Sequence, residues 1–343
     1  MRTLPVSPVA TADLVALFTE HLRLCRVQED EIVLITTHAS FKPHYPAAFF
    51  AAARVLGATP YILTTTADMR FLKGPFLTDV WKNADMVIGC MSPMNFMYTE
   101  VHNEALKAGT RTLNVHEPEE VLRLMFPDEK VIARSKAGAA YLDHGRTIRV
   151  TSANGTDLVM DKTGRHGACE VGVSDTPGHF DHWPAGMVAC TPVEGTCEGT
   201  LVLDEGDICW RFGVYFQHPV TITMEAGRIV DISGGADATL LRDYFAAAND
   251  DRSYLGPAHI GWGTDHRAKY HHLALFSREH GGSMTSASYY GNVLVAFGRD
   301  SFSGFGGTND VAFHIDFPLK NHSLWVDDEQ VIADGTIVHP QLQ

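Results

Sequence analysis

The chain carries 18 histidines, and one of them stands two residues from an aspartate inside an apolar run: His314 and Asp316 in FHIDF. Residues i and i+2 of a strand project from the same face, so imidazole and carboxylate can converge on one point. A carboxylate on a buried strand needs a partner, because an unpaired buried charge costs several kcal/mol. A metal ion is one such partner; a neighbouring arginine or a turn donor is another. His-x-Asp with a distant histidine is the ligand set of the non-haem Fe(II) oxygenases, which leave positions open for O2 and substrate. The pattern does not say which histidine completes it. His259, in AHIGWGT, lies on a short strand running into a Gly-bounded turn, an element that can present a side chain at a cavity. His266, His271, His272 and His280 follow in a polar stretch with Lys and Arg and read as surface histidines.

A second group is Glu170, His179, Asp181 and His182, in CEVGVSDTPGHFDHWPAG. Its Pro, Gly and Trp suggest an ordered loop. His179 and His182 would suit acid–base work near pH 7, although hydrogen-bonding structural histidines are the plainer explanation. His102 falls on a predicted helix over 99–108, after the third strand of the first domain. Clefts in open α/β sheets form beyond the carboxyl ends of strands, so His102 could reach one; a capping or buried role is as ordinary. GFGGTND (304–310) and GWG (261–263) are not phosphate loops, because they lack GxxxxGK[ST] and its strand-to-helix context. No GxSxG nucleophile elbow occurs.

The elements that must hold these residues change character along the chain. Up to about residue 130, strand and helix signals alternate: helices over 11–24, 46–56, 76–83 and 99–108, strands over 31–36, 61–65, 85–90 and 111–115. That order predicts an α/β domain with an open parallel sheet. After about 131, strand-like runs and Gly-rich turns dominate, with one clear helix over 238–249 and a probable turn at Glu225-Ala226-Gly227. The division expected is an N-terminal α/β domain, 1–135, and a C-terminal α+β metal-binding domain, 136–343.

Composition removes other classes. The 343 residues carry 27 Lys and Arg against 41 Asp and Glu, a net charge of −14, which disfavours nucleic-acid binding. No apolar run approaches the length of a membrane span, and the N-terminus lacks a signal-peptide core. Six cysteines without a CxxC pair read as reduced thiols in a cytoplasm.

PAHIGWGTDHRA, GNVLVAFG and FHIDF, in this order, resemble the blocks of the leucyl-aminopeptidase-like metallo-aminopeptidases of thermophiles. That family joins an α/β N-terminal domain to a C-terminal domain with a two-metal site. Here Met187, in WPAGMVACTP, stands where the family has a ligand Glu; His259 replaces another Glu; Leu294 replaces a His; and the family's Tyr falls at Ser301. Met187, Leu294 and Ser301 cannot hold a second hard divalent ion. What the resemblance leaves is one metal on His259, His314 and Asp316. This set is similar to that of one branch of the superfamily, the 2,5-dihydroxypyridine 5,6-dioxygenases of nicotinate breakdown, and the likeness includes the H-x-x-H of His179 and His182.

The resemblance implies Fe(II), O2 and a small aromatic N-heterocycle, cleaved between C5 and C6 to N-formylmaleamate. It implies that His102, His179 or His182 takes the 5-hydroxyl proton. Glu170 would hold the ring nitrogen or 2-hydroxyl side, and Trp183, Ser301 and Phe305 would line the pocket. It also implies a homo-oligomer. The rival is a metallo-aminopeptidase or related zinc hydrolase, since zinc accepts the same ligands. A descendant without catalysis would bind no stoichiometric metal.

Overall fold

The computed structural model describes residues 8–66, 73–92, 96–275, 284–301 and 306–343; Phe305 and His280 lie outside them. In chain order the elements are α1 (Pro8–Leu24), β1 (Ile32–His38), α2 (His44–Val55), β2 (Thr59–Thr65), α3 (Pro75–Lys82), β3 (Met86–Cys90), α4 (Glu100–Lys107), β4 (Arg111–Asn114), α5 (Glu119–Leu124) and α6 (Glu129–Leu142). Strands then take over: β5 (Thr147–Thr151), β6 (Asp157–Asp161), β7 (Ala168–Glu170), β8 (Phe180–His182), β9 (Met187–Cys190), β10 (Glu198–Leu203), β11 (Ile208–Cys209), β12 (Val214–Tyr215), β13 (Val220–Glu225) and β14 (Arg228–Gly234). After α7 (Ala236–Ala247) come β15 (His259–Gly263), β16 (Val293–Gly298), β17 (His314–Leu319), β18 (Ser323–Val326), β19 (Glu329–Ala333) and β20 (Thr336–Ile337). Among the described residues no helix is long and apolar enough to cross a membrane.

The chain forms two compact units. The first takes residues up to 127 together with 172–184; the second takes 128–171 and 185–343. In the first, a parallel sheet runs β2-β1-β3-β4-β8. Its inner strands read as near-continuous apolar runs because helices cover both faces, and all of β3 is buried. Helix α1 buries Leu14, Phe18, His21 and Leu22, one helical face, and Cys25 is buried just past its end. Phe18 stacks on Phe49 of α2, ring centroids 3.9 Å apart. Helix α4 starts where Thr99 accepts a hydrogen bond from the His102 N–H at 3.1 Å, with Glu100 in its first turn and Lys107 in its last. That phase turns Val101, His102, Ala105 and Leu106 inward.

The segment expected as a loop of the second domain contains strands, and β8 belongs to the first unit. Its pairing is Thr112↔Phe180, Leu113↔Asp181 and Asn114↔His182. Three residues are too few for a hydrophobic period to show. Backbone bonds fix the strand instead: Thr112 N–H to His179 O at 2.8 Å and Trp183 N–H to Asn114 O at 2.9 Å.

The second unit starts at the Asp128 cap, whose carboxylate accepts from the N–H groups of Lys130 and Val131 at the head of α6. Two antiparallel sheets follow, β14-β13-β10-β6-β5-β18-β19-β20 and β17-β16-β15-β9-β7. One apolar cluster joins them, with Ile148, Val150, Leu201 and Ile222 from the larger sheet and Ile260, Trp262, Val295, Phe297, Ile315 and Phe317 from the smaller. Ala226 and Gly227 take positive φ, 47° and 69°, in the β13–β14 hairpin turn.

Burial holds several histidines as neutral rings, His116 among them. Burial pushes His21 and His102 down to about 3 and His322 down to about 4. Folded values below the unfolded value mean that the unfolded chain binds more protons as pH falls. The stabilisation is complete above about pH 6.5, the unfolded imidazole value, and drains away as pH drops toward 4. The melting temperature should therefore be level near neutrality and fall from about pH 6.5 downward. Circular-dichroism melts at half-unit steps check this; an unchanged midpoint between pH 7 and 5 contradicts it.

Candidate metal centre

Strands β15, β16 and β17 lie side by side, and their alternation divides two jobs. Ile260 and Trp262, Val293, Val295 and Phe297, and Ile315, Phe317 and Leu319 all join the apolar cluster. The residues between them face the other side, and there the register aligns His259 with Ala296 and Ala296 with Asp316. His314 stands one pair away, opposite Gly298. Outer strands flanking a middle one are about 10 Å apart. A methyl group at 296 lets imidazole and carboxylate lean toward each other across that gap.

They meet. His259 Nε2 is 3.2 Å from His314 Nε2 and 3.1 Å from Asp316 Oδ1, and His314 Nε2 is 3.3 Å from Asp316 Oδ2. All three residues are buried. The Nδ1–H of His314 donates to the Arg299 carbonyl at 2.7 Å. A carbonyl only accepts, so the neutral ring turns its bare Nε2 toward Asp316 and His259. Asp316 Oδ2 is buried and accepts no hydrogen bond among the described residues. Two ring nitrogens and a carboxylate oxygen thus converge where something positive must lie between them. Two imidazoles and one carboxylate would hold a divalent ion and leave positions open on it. Among the described residues, these three form the group whose ligand atoms fit a metal ion.

The electrostatics agree. Burial opposes a charge on His314, but the Asp316 carboxylate prevails and raises its proton affinity above the ordinary imidazole value. Burial pulls His259 down. Burial works against the Asp316 charge as well, yet the two imidazoles hold its carboxyl well below the usual carboxylate range. A site that tightens its grip on a proton in this way favours any cation of suitable size.

The other sequence candidates lie on other elements. His102 is wholly buried beside Phe96 and Phe180, with Nε2 hydrogen-bonded to Thr112 Oγ1 at 2.9 Å. His182 lies at the carboxyl end of β8, its ring 4.8 Å from that of Phe180 and 6.2 Å from that of His116. His179 is half-buried, and its carbonyl serves the sheet. Trp183 is buried and stacks on His21 at 3.9 Å, as a core residue of the first unit. Glu170, on β7, shares its row with Met187 and Gly263 and so stands away from the row of His259. Ser301 is half-buried, two residues beyond Arg299. His266 and His271 are exposed and His272 is half-buried. Leu294 and Met187 are buried apolar side chains.

Sequence reasoning passed over Ala296, Arg299 and His116. Ala296 could have been found as the small residue in NVLVAFG once the strands were aligned. His21 had a signal too, a histidine in phase with Leu14 and Phe18.

The fold is that of the thermophilic metallo-aminopeptidases: wild-type AmpT from Thermus thermophilus superposes with a TM-score of 0.68 at 12% identity, over 96% of this chain and 99% of that one. Residues 13–339 match the family described as NicX: 2,5-dihydroxypyridine 5,6-dioxygenase, and the chain belongs to that family. The 2,5-dihydroxypyridine 5,6-dioxygenase of Pseudomonas putida KT2440 is 34% identical over 97% of this chain and 98% of its own length. The solved structure of 2,5-dihydroxypyridine dioxygenase from the same organism superposes with a TM-score of 0.89 at 32% identity, covering 99% of this chain and all of that one. Ring-cleaving dioxygenase chemistry is thus the activity of the family, a heterocycle and O2 are its reactants, and the aminopeptidase alternative is disfavoured.

Two outcomes follow from the geometry. Ala296→Leu should leave the fold intact and cut divalent-metal binding at least tenfold, because the new side chain fills the gap between His259 and Asp316; equal metal content in variant and wild type refutes it. Metal binding must also displace the proton that Asp316 favours on His314. Affinity should weaken as pH falls through the raised range in which His314 takes up its proton, with proton release on binding, measurable by calorimetry in buffers of different ionisation heat.

Proposed function

We propose that the protein cleaves 2,5-dihydroxypyridine with O2 at a mononuclear Fe(II) held by His259, His314 and Asp316. The observation that carries this is the buried triangle of two imidazole nitrogens and one carboxylate oxygen, in a chain of the dioxygenase family. Bound Fe(II) would supply open positions at which an electron-rich ring and O2 can react. Both oxygen atoms enter the product: C5 becomes a carboxylate, C6 becomes the formyl carbon on nitrogen, and the C5–C6 bond breaks. No further reductant is needed.

The chain's own residues do the rest. The Asp316 carboxylate offsets one charge of the ion, and His259 and His314 donate neutral nitrogens. The substrate keeps its 5-hydroxyl proton at neutral pH, so a base must take it. We assign that role to one of His102, His179 and His182, with Glu170 and Ser301 as polar contacts for the ring and Trp183 as an apolar one. Burial pushes His102 down to about 3, which makes it a weak base near neutral pH and turns attention first to His179 and His182. Six free cysteines support a reducing cytoplasm as the setting, and assembly into a homo-oligomer is part of the same proposal.

An oxygen-electrode trace with a panel of hydroxypyridines and fresh Fe(II) tests the reaction. Oxygen uptake should appear with 2,5-dihydroxypyridine and vanish in His259→Ala, His314→Ala and Asp316→Ala together with bound iron. Peptide turnover with Zn2+ instead of oxygen uptake would replace the proposal with a hydrolase. For the proton step, His102→Ala, His179→Ala and His182→Ala should keep iron, and at least one should lower turnover about 10²- to 10⁴-fold with loss of the acidic limb of its pH profile. Wild-type turnover and pH dependence in all three would remove histidine from the role.

A further inference from the structure

The Gly-rich stretch at 306–310, which has no phosphate to bind, closes on the end of β16 through one side chain. Asn309 donates its Nδ2–H groups to the carbonyls of Gly298 and Arg252, each at 3.1 Å, and its Oδ1 accepts from the Val311 N–H at 3.2 Å. Its main chain is engaged as well. The Asn309 N–H donates to Asp300 Oδ1 at 2.6 Å, and its carbonyl accepts from the N–H groups of Asp300 at 2.9 Å and Ser301 at 3.1 Å. Asp300 approaches so closely that a Cβ on Gly307 would lie 2.2 Å from its carboxyl carbon, so residue 307 has to be glycine.

Arg299 is thus gripped on both sides, since Asn309 binds Gly298 before it and Asp300 after it. Its own groups complete the hold: N–H to Phe313 O at 2.7 Å, Nε to Val311 O at 2.9 Å and a terminal nitrogen to Asp310 O at 2.7 Å. The Arg299 carbonyl reaches the site, where it receives His314 Nδ1–H at 2.7 Å. The direction of that carbonyl decides which nitrogen of His314 is bare and where it points.

We propose that Asn309 is the positioning residue of the metal centre: by pinning the backbone on either side of Arg299, it fixes the carbonyl that orients His314. The inference rests on the metal assignment of His259, His314 and Asp316 and goes beyond it, because the bonds that Asn309 makes run to Gly298, Arg252, Asp300, Ser301 and Val311. Second partners of metal-bound histidines commonly carry 10- to 100-fold in affinity. Removing the side-chain amide leaves the Asp300 N–H on the Asn309 carbonyl but releases Gly298 on the other side of Arg299, so the carbonyl that orients His314 loses one of its two anchors.

The test is anaerobic titration of the metal-free full chain with Fe(II) against a competing chelator, together with the visible spectrum of the Co(II)-loaded protein at saturation. Asn309→Ala should weaken Fe(II) binding about 10- to 100-fold and alter the Co(II) bands. Asn309→Asp keeps the acceptor for Val311 N–H and the volume but loses both donors, and should do the same; it carries the test if the alanine variant fails to fold. Val331→Ala, in the core at β19, should lower the melting point while leaving affinity and spectrum at wild-type values. Wild-type affinity and an unchanged Co(II) spectrum in a folded Asn309 variant would overturn the proposal. A wild-type chain that fails to bind Fe(II) or Co(II) would overturn the metal centre itself, a different outcome from the variants matching a metal-binding parent.

Discussion

Everything in the second unit depends on the two-residue alternation of three neighbouring strands. The same few residues that send Ile260, Val295, Phe297, Ile315 and Phe317 into the core send His259, Ala296, His314 and Asp316 to the opposite face. A slip of one residue in either pairing would drive a carboxylate into the apolar cluster and an isoleucine out of it. The burial of the core therefore sets the register that brings together ligands 55 residues apart along the chain. Ala296 is the small residue of this pattern, paired with His259 on one side and Asp316 on the other, where a larger side chain would take up the room between the ligands.

The histidines show what burial alone does and what a carboxylate changes. His21 is wholly buried with a carbonyl, Gly172 O, as its partner at 2.7 Å, and burial drives it down to about 3. His314 is just as enclosed, yet the Asp316 carboxylate beside it turns the balance the other way. Ring burial is common to both. The difference lies in whether the pocket contains net negative charge, which separates a histidine used as packing from one placed to share a cation. His102 belongs by this measure with His21, and its neutrality is a consequence of Trp81, Phe96 and Phe180 around it.

Much of this was legible in the sequence. FHIDF gave a strand with two polar residues on one face, and alternating strand and helix signals gave the parallel sheet of the first unit. His259 could be singled out by residue type and turn context, but only register on both sides of Ala296 brings it to Asp316, and register is a property of paired strands. The part that escaped was the segment 168–184. Read as a loop, it holds a three-residue strand in each of two sheets, and strands that short carry no period to detect. The clasp around Arg299 escaped for a related reason. Its bonds run mostly to backbone carbonyls and N–H groups, which every residue possesses, so GFGGTND looks like an ordinary turn until the partners are known.

The course of the chain through the two units bears on how the protein is made. Strand β8 emerges from the ribosome long after β4, its partner in the first sheet, with α5, α6 and three strands of the second unit between them. Until it arrives, β4 is an open edge with unsatisfied N–H and carbonyl groups, the kind of surface that recruits other chains. Joining the two is a non-local step, and such steps are slow to form. A fragment cut near residue 135 would carry that open edge permanently. The N-terminal part is thus a poor candidate for independent expression, and the first unit reaches its finished state only when synthesis has passed Pro184.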